Sequence, residues 1–276
     1  MKVVMQGYPG CFHQEAANSY FRGAEIDFVP AKTFDDLARL LQKDTTIDYG
    51  IMAIENNIAG SILQNYRILR EFNFRIIGEI YLPIHHNMMC LPGQTIEQIF
   101  EVHSHPMALN QCLKYLQNYK HIKLVEKEDT ALSAKIIFDD QILGVASIGS
   151  KSSSELYKLE IIDHCIETCT NNYTRFFILQ RAGLIIPDGN FNKSSIYIQV
   201  DNERGSLLKV LEVVYNHKIN LSKLQSFPVA GENKQYYFYL DLDFENLKNY
   251  NKLMNVLKDH TSILEVLGLY YDGWSK

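Results

Sequence analysis

A polar cluster precedes an apolar run at residues 170–179, which read TNNYTRFFIL. Thr174 supplies a hydroxyl and Arg175 a guanidinium at the start of what the pattern predicts to be a buried strand. Because side chains alternate along a strand, Thr174 and Phe176 fall on one face, and Arg175 and Phe177 on the other. Such a cluster is typical either of a capped strand end or of the floor of a binding site.

Further polar turns follow the predicted strands, and most of them run into a predicted helix. They read GYPGCFHQ (7–14), IENNIAGS (54–61), HSHPMALNQC (103–112), EDTALSA (128–134) and VASIGS (145–150). Ligands of open α/β sheets bind beyond the carboxyl ends of the strands. Free N–H groups at helix N-termini favour anions, with an effective charge of roughly +0.5 at each end. Together these turns predict a carboxylate-binding crevice that needs no basic surface.

The elements that must position these turns alternate between strand and helix over the first two thirds of the chain. This alternation predicts an α/β architecture with largely parallel sheets. The segment LIIPDGNFNKSS (184–195) breaks the pattern with a proline, a glycine and several Asn or Asp residues, and predicts a linker. The chain after it reads strand, helix, strand, strand, helix, strand, which predicts a ferredoxin-like βαββαβ module.

Composition excludes several classes of protein. The 276 residues carry a net charge of -5 with a pI near 6.0, which gives no electrostatic reason to bind nucleic acid. The five cysteines are odd in number and scattered, so a disulfide framework is not expected. No apolar run is long enough for a membrane span, and the apolar start is too short for a signal peptide. We therefore expect a soluble cytoplasmic protein.

The polar turns, taken in order, resemble the motifs of one family, the prephenate dehydratases. GYPGCFHQEAA is similar to Gly-x-x-Gly-x-Phe-x-x-x-Ala-Ala, and IENNIAGSI to Glu-Asn-Ser-x-x-Gly-(Ser/Thr). HSHPMALNQC is similar to Ser-His-Pro-Gln-x-x-x-Gln-Cys, and NNYTRFFIL to Asn-x-Thr-Arg-Phe. In the tail, RGSL and INLSKLQSFP resemble the ligand-binding elements of an ACT regulatory module.

The resemblance implies a fold, a domain organisation and an activity. It implies an α/β protein with a two-lobed, periplasmic-binding-protein-like catalytic domain at 1–185 and a ferredoxin-like (βαββαβ) ACT domain at 193–276. It also implies a lyase that converts prephenate to phenylpyruvate, carbon dioxide and water on the route to phenylalanine. That reaction requires no metal, nucleotide or redox cofactor.

By the same match, Thr174 is the catalytic hydroxyl, which donates a hydrogen bond to the departing ring oxygen. His105 is expected to assist proton movement, as histidine side chains commonly do, while Asn172 orients the loop or touches the substrate. For Arg175 a structural role is equally compatible, because the strand alternation directs it away from Thr174. Thr130 and Ser147 are expected at helix starts. The expected substrate-binding residues are Asn56, Gly60, Ser61, Ser104, Thr130, Ser147, Arg175 and Phe176.

The ACT resemblance implies that L-phenylalanine binds between two subunits and inhibits, and therefore that the protein is a homodimer or homotetramer. The tail departs from the ACT pattern at Arg204, where Pro is usual, and at Gln225 and Phe227, which replace a Glu and an Arg. A module that only dimerises is the alternative. The expected phenylalanine contacts are Gly205, Ser206, Leu207, Asn220, Leu221 and Ser226.

Two other functions stay open from the sequence. Arogenate, in which an amine replaces the keto group, is a possible alternative substrate. A non-catalytic sensor of an aromatic acid is the other, although such a sensor needs no proton donor at Thr174. His164, Cys165 and Cys169 lack the paired spacing of a structural zinc site, so no metal is expected.

Overall fold

The computed structural model describes residues 1–183, 189, 191–229 and 235–275. The linker predicted at 184–195 falls partly outside this description, because residues 184–188 and 190 are not included. The helices in the described part are α1 (Phe12–Tyr20), α2 (Phe34–Lys43), α3 (Leu63–Glu71), α4 (Pro106–Gln111), α5 (Leu113–Leu116), α6 (Thr130–Asp139), α7 (Lys151–Leu156), α8 (Ser206–Asn216) and α9 (Leu247–Leu257).

The strands follow the helices in the predicted alternation through most of the chain. They are β1 (Lys2–Gln6), β2 (Asp27–Ala31), β3 (Tyr49–Asn56), β4 (Gly60–Ser61), β5 (Phe74–Pro83), β6 (Asn87–Cys90), β7 (Glu101–Ser104), β8 (Lys123–Glu126), β9 (Val145–Gly149), β10 (Glu160–Asp163), β11 (Tyr173–Arg181), β12 (Lys193–Gln199), β13 (Asn220–Pro228), β14 (Tyr236–Asp243) and β15 (Ile263–Tyr270).

Local sequence signals account for the helix boundaries that shape the first unit. The Thr33 hydroxyl caps α2 by accepting a hydrogen bond from the Asp36 amide (3.1 Å). Asp35 and Asp36 lie in the first turn, where carboxylates favour the positive end of the helix. A Thr followed closely by two acids is a typical start of a helix, so this boundary has a local cause.

The chain divides into two compact units, Met1–Ile68 with Tyr81–Phe176, and Leu69–Ile80 with Phe177–Lys276. The first unit contains two sheets. In one, the strand order is β11-β3-β1-β2, with β1 parallel to both β2 and β3 and with β4 antiparallel to β3. The middle of β1 is fully buried, as expected for a parallel strand covered on both faces.

The second sheet of this unit has the order β10-β6-β9-β7-β8 and is not purely parallel. Strand β7 is parallel to β8 and β9, but β6 is antiparallel to β9 and β10. The prediction of largely parallel sheets is therefore wrong for β6. Its sheet neighbours β9 and β10 come 55 or more residues later in the chain, so no single crossover helix links β6 to a neighbour and imposes the parallel direction.

In the second unit the strand order is β13-β14-β12-β15-β5. The pairs β13–β14, β14–β12 and β12–β15 are antiparallel, and helices α8 and α9 pack on them through one apolar cluster around Leu240 and Leu253. This is the ferredoxin-like arrangement predicted from the βαββαβ order. None of the described helices combines the length and apolar character needed to cross a membrane.

Candidate active site

A cavity of about 380 Å³ lies within the first unit, where β1 and β3 end. Side chains from both sheets of this unit line it, as the crevice predicted from the polar turns requires. The lining residues are Gln6, Cys11, Phe12, His13, Phe34, Ala53, Asn56, Ala59, Ile62, Ile84, His86, His105, Met107, Ala108, Gln111, Glu128, Asp129, Thr130, Thr174 and Phe176.

Thr174, the second residue of β11, contributes its side chain to the wall of this cavity. Its Oγ1 accepts a hydrogen bond from Asn56 Nδ2 at 3.0 Å. A hydroxyl has one hydrogen to donate, and an acceptor bond at the oxygen leaves that hydrogen available. The Asn56 contact therefore leaves Thr174 able to donate to a ligand in the cavity.

Asn56 is held in turn by a network of amide side chains and backbone groups. Its Oδ1 accepts hydrogen bonds from the Ile58 and Ala59 amides (3.0 and 2.9 Å), which fixes which end of the side chain donates. Its Nδ2 donates to Asn172 Oδ1 (2.7 Å) and to the Tyr173 carbonyl (3.0 Å). Buried polar groups that are fully paired specify one conformation, so this network holds Thr174 in place.

The network continues towards the second sheet through Asn172. Asn172 is fully buried and its Nδ2 donates to Gln111 Oε1 (3.0 Å). His86 Nε2 lies 2.8 Å from the same oxygen, so the His86 proton sits on Nε2. Burial lowers the pKa of His86 and keeps its ring uncharged. Asn172 thus orients the site without lining the cavity itself.

His105 and Thr130 line the cavity from the helices that follow β7 and β8. His105 precedes α4, and its Nδ1 accepts a hydrogen bond from the Met107 amide (3.2 Å). The neutral ring therefore carries its proton on Nε2. Thr130 is the first residue of α6, at the helix start where the sequence predicted it.

The cavity wall carries acidic rather than basic side chains. Glu128 and Asp129 line it, while no Lys or Arg is among its described lining residues. Burial raises the pKa of Asp129, against the opposing effect of the Leu132 and Ala131 amides on its carboxylate. Glu128 Oε1 accepts a hydrogen bond from the Tyr8 hydroxyl (3.1 Å). A bound anion therefore meets neutral donors and helix ends rather than a salt bridge.

An aromatic surface completes the wall on the β11 side. Phe176 shares the Thr174 face of the strand, as the alternation predicted, and is 1% exposed. His13 packs edge-on against its ring with centroids 5.0 Å apart, and the Phe34 ring contacts His13 with centroids 5.6 Å apart. Burial lowers the pKa of His13 to about 3, so this ring is neutral at physiological pH.

Arg175 faces away from the cavity, which corrects its assignment to the substrate-binding set. It is 3% exposed, its Nη1 lies 4.0 Å from Glu55 Oε2, and its guanidinium lies 5.8 Å from the centre of the Tyr81 ring. The strand period that turns Thr174 towards the cavity turns Arg175 into the core. Arg175 therefore has the structural role that the sequence left open.

Four other expected substrate contacts also lie off the cavity wall. Gly60 and Ser61 form β4, where they pair with Asn56 and Glu55. Ser104 ends β7, and its hydroxyl donates to the Ile148 carbonyl (2.6 Å). Ser147 was expected at a helix start but lies inside β9, because that strand runs to Gly149 before α7 begins.

Sequence reasoning missed several residues that the fold brings to the cavity. They include His13, His86, Gln111 and Asp129. Asp129 carries a local signal, because an Asp before Thr130 is a typical N-cap, and its Oδ1 does accept from the Leu132 amide (2.9 Å). His13 and Gln111 lie in polar turns that the sequence singled out, but no local signal marks their side chains or that of His86 as inward-facing, since only tertiary packing turns them towards the cavity.

The second unit contains a smaller cavity of about 130 Å³ near the start of α8. Ser206 and Leu207 line it, and Gly205 precedes them with a φ of 89°, a left-handed conformation that glycine adopts without strain. Asn220, Leu221 and Ser226 lie on β13 and do not line this cavity. The remaining lining residues are Val200, Asp201, Asn202, Glu203, Tyr236 and Phe238.

A group of potential metal ligands differs from the sets visible in the sequence. In the described residues, His85, Cys165 and Glu167 bring ligand atoms within 4.8 Å of one another. Glu167 is already engaged, because its carboxylate lies 2.8 Å from His85 Nδ1 and accepts from the His86 amide (2.9 Å). This pairing explains the group by hydrogen bonding alone.

Two α/β lobes around one cavity, followed by a ferredoxin-like unit, define a periplasmic-binding-protein-like ligand-binding fold with an appended second unit. The model of the prephenate dehydratase family matches residues 3–183. The chain therefore belongs to the prephenate dehydratase family, as the motif resemblance predicted.

Relatives match almost the whole chain. The bifunctional chorismate mutase/prephenate dehydratase of Aquifex aeolicus is 33% identical over 273 residues, which are 98% of this chain and 73% of that protein. Arogenate dehydratase/prephenate dehydratase 1 of Arabidopsis thaliana is 31% identical over 285 residues, 98% of this chain and 72% of that protein. The structure of prephenate dehydratase from Arthrobacter aurescens in complex with L-Phe has a TM-score of 0.89 at 21% identity. It covers 100% of this chain and 91% of that one, and at this identity it shows the fold alone.

Proposed function

We propose that this protein catalyses the decarboxylating dehydration of prephenate to phenylpyruvate. The observation that carries the proposal is the Thr174 hydroxyl on the cavity wall, with its oxygen engaged by Asn56 Nδ2 at 3.0 Å and its hydrogen available to a ligand. Family membership supports the same reaction. The product places the protein on the route to phenylalanine, and we infer that it works in the cytoplasm.

The reaction breaks two bonds of the substrate ring and makes it aromatic. The bond from C1 to the ring carboxylate breaks, carbon dioxide leaves, and its electron pair shifts through the diene to expel the oxygen on C4. That oxygen takes up one proton and leaves as water. The net reaction consumes one proton, and the barrier lies in expelling hydroxide unless a donor assists.

Thr174 lowers this barrier by donating a hydrogen bond that strengthens as the C4–O bond breaks. Assistance of this kind typically contributes about 10²- to 10⁴-fold to the rate. A threonine does not remain deprotonated, so the proton must be replaced from another group. His105 lines the same cavity and holds its proton on Nε2, and we assign the resupply to it. Asn172 contributes indirectly, because its buried side chain accepts a hydrogen bond from Asn56 Nδ2 and so holds Asn56 in place.

The cavity suits loss of a carboxylate. Glu128 and Asp129 line it, and no Lys or Arg is among its described lining residues. This lining disfavours a second negative charge on the ligand. Departure of neutral carbon dioxide relieves that repulsion, which is a form of ground-state destabilisation. Asn56 and Thr130 supply neutral contacts, and Phe176 supplies the surface for the ring. We assign a structural role behind the cavity wall to Gly60, Ser61, Ser104 and Ser147.

For the second unit, we propose an ACT domain at 193–276 that follows a catalytic domain at 1–185. L-Phenylalanine is assigned to the cavity beside Ser206 and Leu207, whose small volume and apolar side suit a single amino acid. Gly205 permits close approach of the backbone. Strand β13 carries Asn220, Leu221 and Ser226. We propose that these residues contact the phenylalanine bound by a neighbouring subunit of a homodimer or homotetramer.

The decisive assay adds prephenate to the purified full-length protein and follows the absorbance of phenylpyruvate. We expect Thr174→Val to lower kcat by roughly 10²- to 10⁴-fold, and Thr174→Ser to retain much of the activity because it keeps the hydroxyl. Thr170→Val, an exposed threonine of the same segment, is the matched control. Normal turnover by Thr174→Val would remove Thr174 from the mechanism.

The same assay separates the alternative functions. Production of phenylalanine from arogenate, with no product from prephenate, would identify arogenate as the substrate. The name of the Arabidopsis relative includes this activity for that protein. No product from either acid, with tight binding of an aromatic acid, would indicate a sensor. For regulation, calorimetry should show L-phenylalanine binding that Leu207→Asp removes. Leu208→Asp, an exposed neighbour outside the cavity, should leave it intact.

A further inference from the structure

One buried polar side chain of the cavity wall has no role in the mechanism above. His13, the second residue of α1, lines the cavity and is 9% exposed. The Ala53 amide donates a hydrogen bond to its Nε2 at 3.3 Å. Because Nε2 acts as the acceptor, the neutral ring carries its proton on Nδ1. A backbone amide thus selects the tautomer.

The Nδ1 edge of this ring is the edge left for a ligand. Among the described residues, no protein group accepts a hydrogen bond from His13 Nδ1. This atom is not among the unpaired polar atoms that are fully buried, so the protein does not enclose it completely. Leaving a buried donor unpaired lowers the stability of the protein. A ligand oxygen in the cavity would satisfy it.

The start of α1 makes the same region favourable for an anion. Cys11 is the N-cap residue and its side chain accepts no capping hydrogen bond. The amides of Phe12 and His13 open the helix, where intrahelical acceptors are absent and the helix dipole is positive. Phe12 and His13 both line the cavity, so a carboxylate near this helix end meets donors of two kinds.

The position of His13 relative to Thr174 indicates which carboxylate it meets. The His13 ring contacts Phe176, which lies two residues after Thr174 on the same face of β11. Two residues along a strand span roughly 6.6 Å. A six-membered ring that lies along this face, with its hydroxyl at Thr174, brings its opposite carbon towards His13. In prephenate that carbon carries the ring carboxylate.

We propose that His13 binds the ring carboxylate of the substrate through Nδ1–H, as an uncharged hydrogen-bond donor. The assignment rests on the proposed function. An imidazolium would form an ion pair that stabilises the carboxylate in the ground state more than in the transition state, where its charge is already being lost, and such stabilisation slows the chemical step. The neutral ring orients the group that must depart without adding that stabilisation.

Two substitutions separate substrate binding from a structural role. His13→Gln places an amide oxygen near the Nε2 position, where it can accept from the Ala53 amide, and leaves no donor at Nδ1. His13→Asn places an amide nitrogen near Nδ1 and leaves Ala53 without an acceptor. We expect His13→Gln to melt like the wild type and to lose roughly 10- to 150-fold in kcat/KM, the value of a hydrogen bond to a charged group.

His13→Asn should show the opposite pattern, with a lower melting temperature and most of the wild-type kcat/KM. A merely structural His13 reverses this order, so normal kcat/KM in His13→Gln together with a loss in His13→Asn would overturn the proposal. The loss in His13→Gln should appear mainly in KM, because the carboxylate is bound before the reaction begins.

The tautomer is measurable without turnover. In full-length protein labelled with ¹⁵N-histidine, the signals that vanish in His13→Gln should show a protonated Nδ1 and an unprotonated Nε2. His13→Gln, which is expected to melt like the wild type, supplies the assignment, and the reverse tautomer would overturn the proposal whatever the kinetic results. If the wild type does not turn over prephenate, the proposed function fails while the tautomer result still stands, so the two failures are distinguishable.

Discussion

The buried neutral His13 should make the protein less stable in acid by a predictable amount. An unfolded histidine has a pKa near 6.5, whereas burial lowers the pKa of native His13 to about 3. Between these values the unfolded chain binds a proton that the folded chain does not. The stabilisation from this residue is therefore complete above about pH 6.5 and is lost as the pH falls towards 3.

The size of the effect follows from the window between the two pKa values. Each pH unit within it lowers the free energy of unfolding by about 1.4 kcal/mol. Lowering the pH from 7 to 5 should therefore destabilise the wild type by about 2 kcal/mol more than His13→Gln, which has no titrating group at this position. His86, whose pKa burial also lowers, is present in both proteins and cancels in the comparison.

The assay is urea unfolding of both full-length proteins at pH 7, 6 and 5 and constant ionic strength, followed by far-ultraviolet circular dichroism. Unfolding free energies come from linear extrapolation. Parallel pH dependences for the two proteins would refute the reasoning, because they would mean that native His13 takes up a proton as easily as the unfolded chain does. Its ring would then not be the buried neutral donor described above.

Two further predictions concern the Lys193 ion pair and the reactivity of the cysteines. Lys193→Met should lower the unfolding free energy by about 3–5 kcal/mol, because Lys193 Nζ lies 2.9 Å from the buried Glu79 carboxylate and 3.4 and 3.7 Å from the partly exposed Asp272 and Asp243 carboxylates. Urea unfolding should show that adding Glu79→Gln recovers part of the loss, because Glu79 is the fully buried member of the three; additive losses would contradict this. Brief treatment of the native protein with iodoacetamide at pH 8 should modify the exposed Cys165 and Cys169 but not Cys11, whose pKa burial raises to about 12, and mass spectrometry of the peptides checks it. Rapid labelling of Cys11 would mean that the start of α1 opens.

Much of the fold was predictable because its signals are local. The capping threonine and acids of α2, the alternation of strands and helices and the βαββαβ order of the tail all act over a few residues. Strand β6 was the exception, because a parallel direction was predicted and the strand is antiparallel to its neighbours. Its orientation depends on which strands it meets in the sheet, and those strands lie 55 or more residues away along the chain.

The candidate site was predictable in part, for the same reason. The strand period placed Thr174 and Phe176 on one face, and the structure turns that face to the cavity. The assignments of Ser104, Ser147 and Arg175 as substrate contacts do not match their places in the interior. Membership of a polar segment does not state which side of the strand or turn a residue faces.

The sequence by itself determined the order of the elements, the family and the face of β11 that carries the hydroxyl. Periodicity, capping and motif spacing are short-range properties, so a linear reading reaches them. The tertiary structure decided which polar groups meet, because those contacts join distant parts of the chain. The Asn56 amide reaches Thr174 across 118 residues, and the Ala53 amide selects the tautomer of His13 across 40. Packing of β3, β11 and α1 within one lobe sets these distances, and with them the direction in which each proton points.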